Sequence, residues 1–185
     1  MLSFYLSIVE TDEDKEKVVF LYENYYSFMC YTAGQVLNHN KFDVEDAVHN
    51  AMLKLIENLD SIDFSNLQKT KNLCGIVAKN KARDLLKRRE KQNVSLEDDV
   101  RADISTAEDP RDILIRNNTY ELILHALDSL DDKYRDLCIM KYVHGLKEKE
   151  SAALLDITPH TVSTRIFRGK QILRDALRKE AVYES

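Results

Sequence analysis

The chain has 185 residues, with 27 Lys plus Arg against 32 Asp plus Glu, 44% apolar and 8% aromatic side chains. That length suits one domain or two small ones, and four Gly, two Pro and few β-branched runs lean it towards helix. No apolar run nears the roughly 20 residues that span a bilayer, Met1–Val9 lacks a basic leader and a cleavage site, and the scattered Cys30, Cys74 and Cys138 lack metal spacing.

The expectation is therefore a cytoplasmic protein with three buried thiols and no metal, cofactor or membrane insertion. The net charge of -5 conceals blocks. Residues 1–70 hold 5 basic and 12 acidic side chains, 71–93 hold 8 and 2, and 94–112 hold 2 and 7. Residues 113–144 hold 4 and 5, and 145–185 hold 8 and 6. Acidic, basic and acidic blocks in succession suit more than one partner, with a polyanion opposite the basic ones.

Val18, Leu21, Tyr22, Tyr25, Phe28, Met29 and Ala33 recur at helical steps and predict an amphipathic helix. After the polar break Asn38–Lys41, Asp43 can cap a second helix buried through Val44, Ala47, Val48, Ala51, Leu55 and Leu59. Asp43, Glu45 and Asp46 fall in its first turn, where carboxylates meet the positive end of the helix dipole. A polar loop of about ten residues from Asp63 leads to a third helix, from near Leu73 to about Lys91. It buries Ile76, Val77, Leu85 and Leu86 and carries Lys79, Arg83 and Lys87 as one cationic stripe. From Gln92 to Arg111 the periodicity stops, in an acidic run that reads as a linker. Helical pattern resumes at Ile113.

In the last third, Asp131 opens a short helix that Gly145 can end in a left-handed conformation. A helix over Lys147–Leu155 follows, then Asp156, Ile157 and Thr158, then Pro159. Thr158 supplies a cap acceptor, and Pro159 needs no N–H at the first helical position. The helix they open buries Val162, Ile166, Gly169, Leu173 and Ala176 and turns outward His160, Thr161, Ser163, Thr164, Arg165, Phe167, Arg168 and Gln171. Two helices about a three-residue turn, the second rich in hydroxyls and arginines, form a helix-turn-helix of the kind that enters a major groove.

The stretch LDITPHTVSTRIFRGKQIL resembles the recognition helix-turn-helix of bacterial extracytoplasmic-function (ECF) sigma factors. LDSLDDKYRDLCIMKYVHGLKEKESAALL is similar to the part preceding it in their region four. FDVEDAVHNAMLKLIENLDSID is similar to the family's acidic region-two helix, and LCGIVAKNKARDLLKRR to its promoter-melting helix. The likeness covers about residues 18–92 and 115–180 in the family's order.

The resemblance implies an all-α chain of two small domains. Residues 1–92 would form region two, 93–112 the acidic linker and 113–185 region four. It implies a sigma factor and no enzyme, with core RNA polymerase and promoter DNA as partners and room for an anti-sigma protein. Asp43, Glu45, Asp46, His49 and Asn50 would meet polymerase. Phe64, Lys79, Asn80, Arg83, Asp84, Lys87 and Arg88 would hold the −10 element, with Phe64 and Asn80 at a flipped base. Ser163, Thr164, Phe167 and Arg168 would face −35 bases, and Thr161 and Arg165 the backbone.

Some residues depart from the family pattern. Leu73 stands at a usual tryptophan, and His49 and Asn50 at a Gln-acid pair. Lys147 replaces a Ser or Thr cap, Asp156 a glycine and Ser163 a basic residue. The alternative reading is a stand-alone helix-turn-helix regulator that binds an operator without polymerase. An enzyme using Asp43, Glu45 and Asp46 on a divalent metal is disfavoured, because no further ligands converge in sequence.

Overall fold

A computed structural model describes residues 1–93, 127 and 130–183, with side chains for 1–90, 127 and 130–175. The described elements are helices α1 (Leu2–Leu6), α2 (Asp12–Val36), α3 (Lys41–Ile56), a 3-10 turn (Leu59–Ser61), α4 (Leu67–Asn93), α5 (Asp132–Tyr142), α6 (Glu148–Leu155) and α7 (Pro159–Tyr183). They fall into two compact units, the first holding α1–α4 and the second α5, most of α6 and α7. The stretch expected to be a linker and the helical pattern from Ile113 lie outside the described residues, apart from Gln92 and Asn93, which end α4, and Leu127 and Leu130.

In the first unit α2, α3 and α4 pack on one another and α1 packs on α2. The shared core is Val18, Leu21 and Met29 of α2, Val48, Ala51, Met52 and Leu55 of α3, and Leu73, Cys74, Val77 and Ala78 of α4, all at most 2% exposed. The stripes expected for α2 and α3 thus supply the interior, except that Tyr22, Phe28 and Val44 are only half-buried. Tyr25 is buried as well, and its hydroxyl donates to the Leu67 carbonyl at 3.1 Å.

Helix starts are set by caps. Thr11 accepts from the Asp14 N–H at 3.1 Å and opens α2. The second helix starts earlier than expected: Asn40, not Asp43, is its cap, and accepts from the Asp43 N–H at 3.3 Å. Asp43 is instead 6% exposed, with both its carboxylate oxygens held by the Arg89 guanidinium of α4. A carboxylate so buried needs a paired charge, and this pairing ties the start of α3 to the far end of α4. The third helix also begins early, at Leu67, because the Asn66 side chain accepts from the Lys69 N–H at 3.0 Å. The polar loop is thereby only Asp63–Asn66. Leu85 and Leu86, expected inside, are half-buried.

The helix α1 was not anticipated; five residues carry too little periodicity to register. It is anchored by Tyr5, which is fully buried and hydrogen-bonded to His49 Nδ1 at 2.9 Å. Desolvation in that site pushes the Tyr5 phenol above its ordinary pKa. Cys74 and Cys138 are buried, but Cys30 is only half-buried, and all three thiols are free.

In the second unit Asp131 caps α5, accepting from the Lys133 N–H at 3.3 Å. After Tyr142, Gly145 takes φ +72°, and the Leu146 N–H reaches back to the Met140 carbonyl at 3.0 Å. The core joins Leu137, Cys138 and Met140 of α5 to Leu146, Ala152, Val162 and Ile166. Where α5 crosses α7, a Cβ on Gly169 would lie 2.9 Å from Cys138 Sγ and 3.4 Å from Tyr134 Cβ.

Two outcomes follow for stability. Arg89→Ala strands the Asp43 charge and should cost about 2 kcal/mol, the scale of charge-assisted hydrogen bonds. Adding Asp43→Ala should restore part of that loss, as the coupling in a urea-melt double-mutant cycle would report. Gly169→Ala gains about 1 kcal/mol of helix propensity, against about 1–3 kcal/mol of overpacking. Its urea midpoint should therefore fall.

Candidate nucleic-acid interface

Helix α7 starts as the sequence requires. The Thr158 hydroxyl accepts from the Thr161 N–H at 3.1 Å, and Pro159 occupies the first helical position. The turn before it runs through Asp156, which sits at φ +51°. That left-handed conformation explains why glycine suits this position, and aspartate is among the side chains that tolerate it.

Val162, Ile166 and Gly169 face inward, and Leu173 is half-buried. The side chain of Ala176 lies outside the described residues. On the other face His160, Phe167, Arg168 and Gln171 are exposed, while Thr161, Ser163, Thr164 and Arg165 are half-buried. Phe167 is 61% exposed on this outward face.

The hydroxyls of α7 are not equivalent. Thr164 donates to the His160 carbonyl one turn back, at 2.9 Å, and Thr161 pairs with the Thr158 hydroxyl at 2.9 Å. Ser163 instead donates to the Glu148 carboxylate at the start of α6. Glu148 also takes the Lys141 ammonium of α5 at 3.0 Å. The Ser163 hydrogen bond, then Lys141, holds the Glu148 carboxyl below its ordinary pKa. Glu148 thus links all three described helices of the second unit, and the Lys147 N–H is met by Glu150 at 2.6 Å, so α6 is capped without the hydroxyl usual there.

The residues expected at the −10 element lie on α4 and the loop before it. Lys79, Asn80, Arg83 and Asp84 are half-buried, and Lys87 and Arg88 exposed. Asn80 donates to Asp84 at 3.3 Å, one turn on. Phe64 lies in the Asp63–Asn66 loop, half-buried, and meets Phe20 edge-on at 6.1 Å between centroids. That loop is rigidly held: Thr70 donates to the Asp63 carbonyl at 3.0 Å, and Ser65 N–H to the Asp63 carboxylate at 3.1 Å. Leu73 is 2% exposed, a core residue.

The residues expected to meet polymerase divide. Glu45, Asp46 and Asn50 are exposed on one face of α3, with the Asn50 amide donating to the Asp46 carboxylate at 3.1 Å. His49 is half-buried and lies against Phe4 and Tyr5 of α1. Asp43 leaves this face altogether, since burial requires its charge to be spent on Arg89. Sequence reasoning also missed Phe42, 81% exposed one turn before Glu45 and Asp46. Its signal was an aromatic residue off the apolar stripe of its own helix.

The second unit thus holds a capped helix-turn-helix with an exposed arginine and aromatic on its second helix, and the first is a helical bundle that carries acidic and basic side chains on its surface. Comparison with known proteins makes this specific. Residues 120–173 match the family described as Sigma-70, region 4. The chain is 26% identical over 170 residues, 87% of each chain, to the ECF RNA polymerase sigma factor SigW of Bacillus subtilis. It is 41% identical over 56 residues, 30% of this chain and 22% of the other, to the ECF RNA polymerase sigma factor SigE of Mycolicibacterium smegmatis. Among solved structures it resembles the sigma factor RpoE in complex with the anti-sigma factor NepR from Bartonella quintana, with a TM-score of 0.44 and 20% identity, covering 91% of this chain and 98% of that one. The chain is thus similar to ECF RNA polymerase sigma factors over most of its length, and its residues 120–173 match sigma-70 region 4.

The Glu148 pairing carries a pH signature. A carboxyl whose folded pKa is lowered stabilises the fold fully above its unfolded value and loses that contribution as pH falls through the folded one. The urea midpoint should therefore decline on the acid side below the ordinary glutamate range. A Glu148→Gln variant should show a shallower decline.

Proposed function

We propose that the chain binds core RNA polymerase through the exposed face of α3 and directs it to promoters by holding a −10 element on α4 and a −35 element on α7. It works by binding, in the cytoplasm, and performs no reaction of its own. Glu45, Asp46 and Asn50, with Phe42 beside them, form an acidic face with one aromatic anchor, suited to a basic surface of the enzyme. His49, backed by α1, borders that face.

On α4, Lys79, Arg83, Lys87 and Arg88 supply phosphate contacts, and Phe64 and Asn80 with Asp84 form the edge where an unstacked base is received. On α7, Arg168, Phe167, Thr164 and Ser163 read bases, and Thr161 and Arg165 track the backbone. An anti-sigma protein that covers these surfaces, as NepR accompanies RpoE, would hold the chain inactive.

The observation that carries this reading is the extent of the likeness to SigW. It runs over 170 residues, through both units. A stand-alone regulator would need only the helix-turn-helix.

Run-off transcription with purified core bacterial polymerase tests it, on a template carrying the upstream region of the protein's own gene. A discrete transcript that requires the chain, with co-elution of chain and core, is the expected result. Tight duplex binding by the chain alone, with neither transcript nor co-elution, would move the reading to the stand-alone regulator. Arg168→Ala should lower transcript yield by roughly 5- to 150-fold, the worth of one bidentate base contact of about 1–3 kcal/mol. Phe42→Ser should weaken co-elution with core while leaving the unfolding free energy from a urea melt within about 0.5 kcal/mol of the parent, as expected of an exposed side chain.

A further inference from the structure

Ser163 occupies a position on α7 where the family usually carries a basic residue, and its surroundings define what it can recognise. A serine hydroxyl has one hydrogen to donate and two lone pairs to accept with. Here the hydrogen is directed to the Glu148 carboxylate. An ionised carboxylate can only accept, so this bond has one possible direction. Lys141 at 3.0 Å keeps the carboxylate charged, and both contacts lower the Glu148 pKa. Thr164 differs: its hydrogen goes to a neutral backbone carbonyl, one partner among many that a rotating hydroxyl can exchange.

Resting on the reading of α7 as the −35 helix, we propose that Ser163 is a specificity-determining residue that meets DNA only as an acceptor, and so selects an amino-bearing base, adenine or cytosine, on the strand it faces. The major groove offers hydrogen-bond donors only at adenine N6 and cytosine N4; guanine presents O6 and N7, and thymine O4 and a methyl group. An oxygen whose hydrogen is engaged gains from the first two and is repelled by the keto oxygens of the others. The same argument removes phosphate as a partner, because phosphate oxygens only accept and the hydroxyl has no hydrogen left to give. A basic residue at this position would have the opposite preference, for guanine. The substitution therefore inverts the recognition chemistry at one base pair and leaves the arginine and aromatic contacts of the helix in place.

The test is run-off transcription by the full chain with core polymerase from the upstream region of its own gene, every −35 base pair being changed in turn to each of the other three. The parent protein should favour adenine or cytosine over guanine or thymine on one strand at one position, by roughly three- to tenfold. Ser163→Ala should abolish that preference at that position and keep those at all others, which also shows that it folds and initiates. Glu148→Gln offers the hydroxyl a donor as well as an acceptor, so it should flatten the same preference to about twofold or less.

A preference that survives Ser163→Ala, a Ser163-dependent preference for guanine or thymine, or an unchanged preference in Glu148→Gln would each overturn the inference. Failure of the parent to yield any transcript would instead count against the sigma reading itself.

Discussion

Every α-helix begins with backbone N–H groups that have no partner within the helix, and in this chain the residues that satisfy them decide where each surface points. Thr11, Asn40, Asn66, Asp131 and Thr158 each place a side-chain oxygen on an N–H two or three residues ahead. Asn40 fixes the phase of α3 so that Asp43 falls inward and Glu45 and Asp46 outward. Asn66 starts α4 directly after a short, internally bonded loop, which sets Phe64 against Phe20. Thr158 with Pro159 starts α7 such that the Val162–Ile166–Gly169 line meets α5 and the arginine-bearing line does not. A shift of one residue at any of these starts would rotate a helix by about 100° and exchange core for surface.

The caps also show what a linear reading can reach. Thr158–Pro159 and Asp131 were legible because each stands alone before an apolar stripe, with no competing acceptor nearby. The start of α3 was not: Asn40 and Asp43 are both good cap residues three apart, and the choice depends on Arg89, 46 residues later in the chain. The start of α4 was obscured because the residues after Asn66, Leu67 to Asn72, are polar enough to read as loop. Their carbonyl and hydroxyl partners, Tyr25 and Asp63, come from other parts of the unit. The centres of the buried stripes were recovered and their flanks, such as Val44, Leu85 and Leu86, only in part, and the register of short or polar segments was not, because tertiary contacts supply it.

The candidate surfaces follow the same division. Side-chain type and spacing located α7 and the basic stripe of α4. They could not tell which charges are consumed inside the protein. Asp43 and Arg89 neutralise each other, and Glu148 is divided between Lys141 and Ser163. The reverse error also occurred, since an exposed Phe42 looks no different in sequence from a buried one. Net charge by block therefore overstates what each face offers a partner, and the exposed remainder, Glu45, Asp46, Lys87, Arg88 and Arg168, is the better guide to the fields that steer association.

The crossing of α5 and α7 has a consequence for how such a sequence can drift. The sulfur of Cys138 fills the hollow that the bare Cα of Gly169 leaves, 2.9 Å from where a further carbon would stand. Neither position has room to grow unless the other shrinks, so the two form a single volume divided between residues 31 apart. A lineage could pass from a cysteine–glycine pair to an alanine–alanine pair and preserve the crossing, provided the helix near Cys138 lost its bulk before the other gained any. The order of such changes, and not only their sum, would then be constrained by a gap narrower than one methyl group.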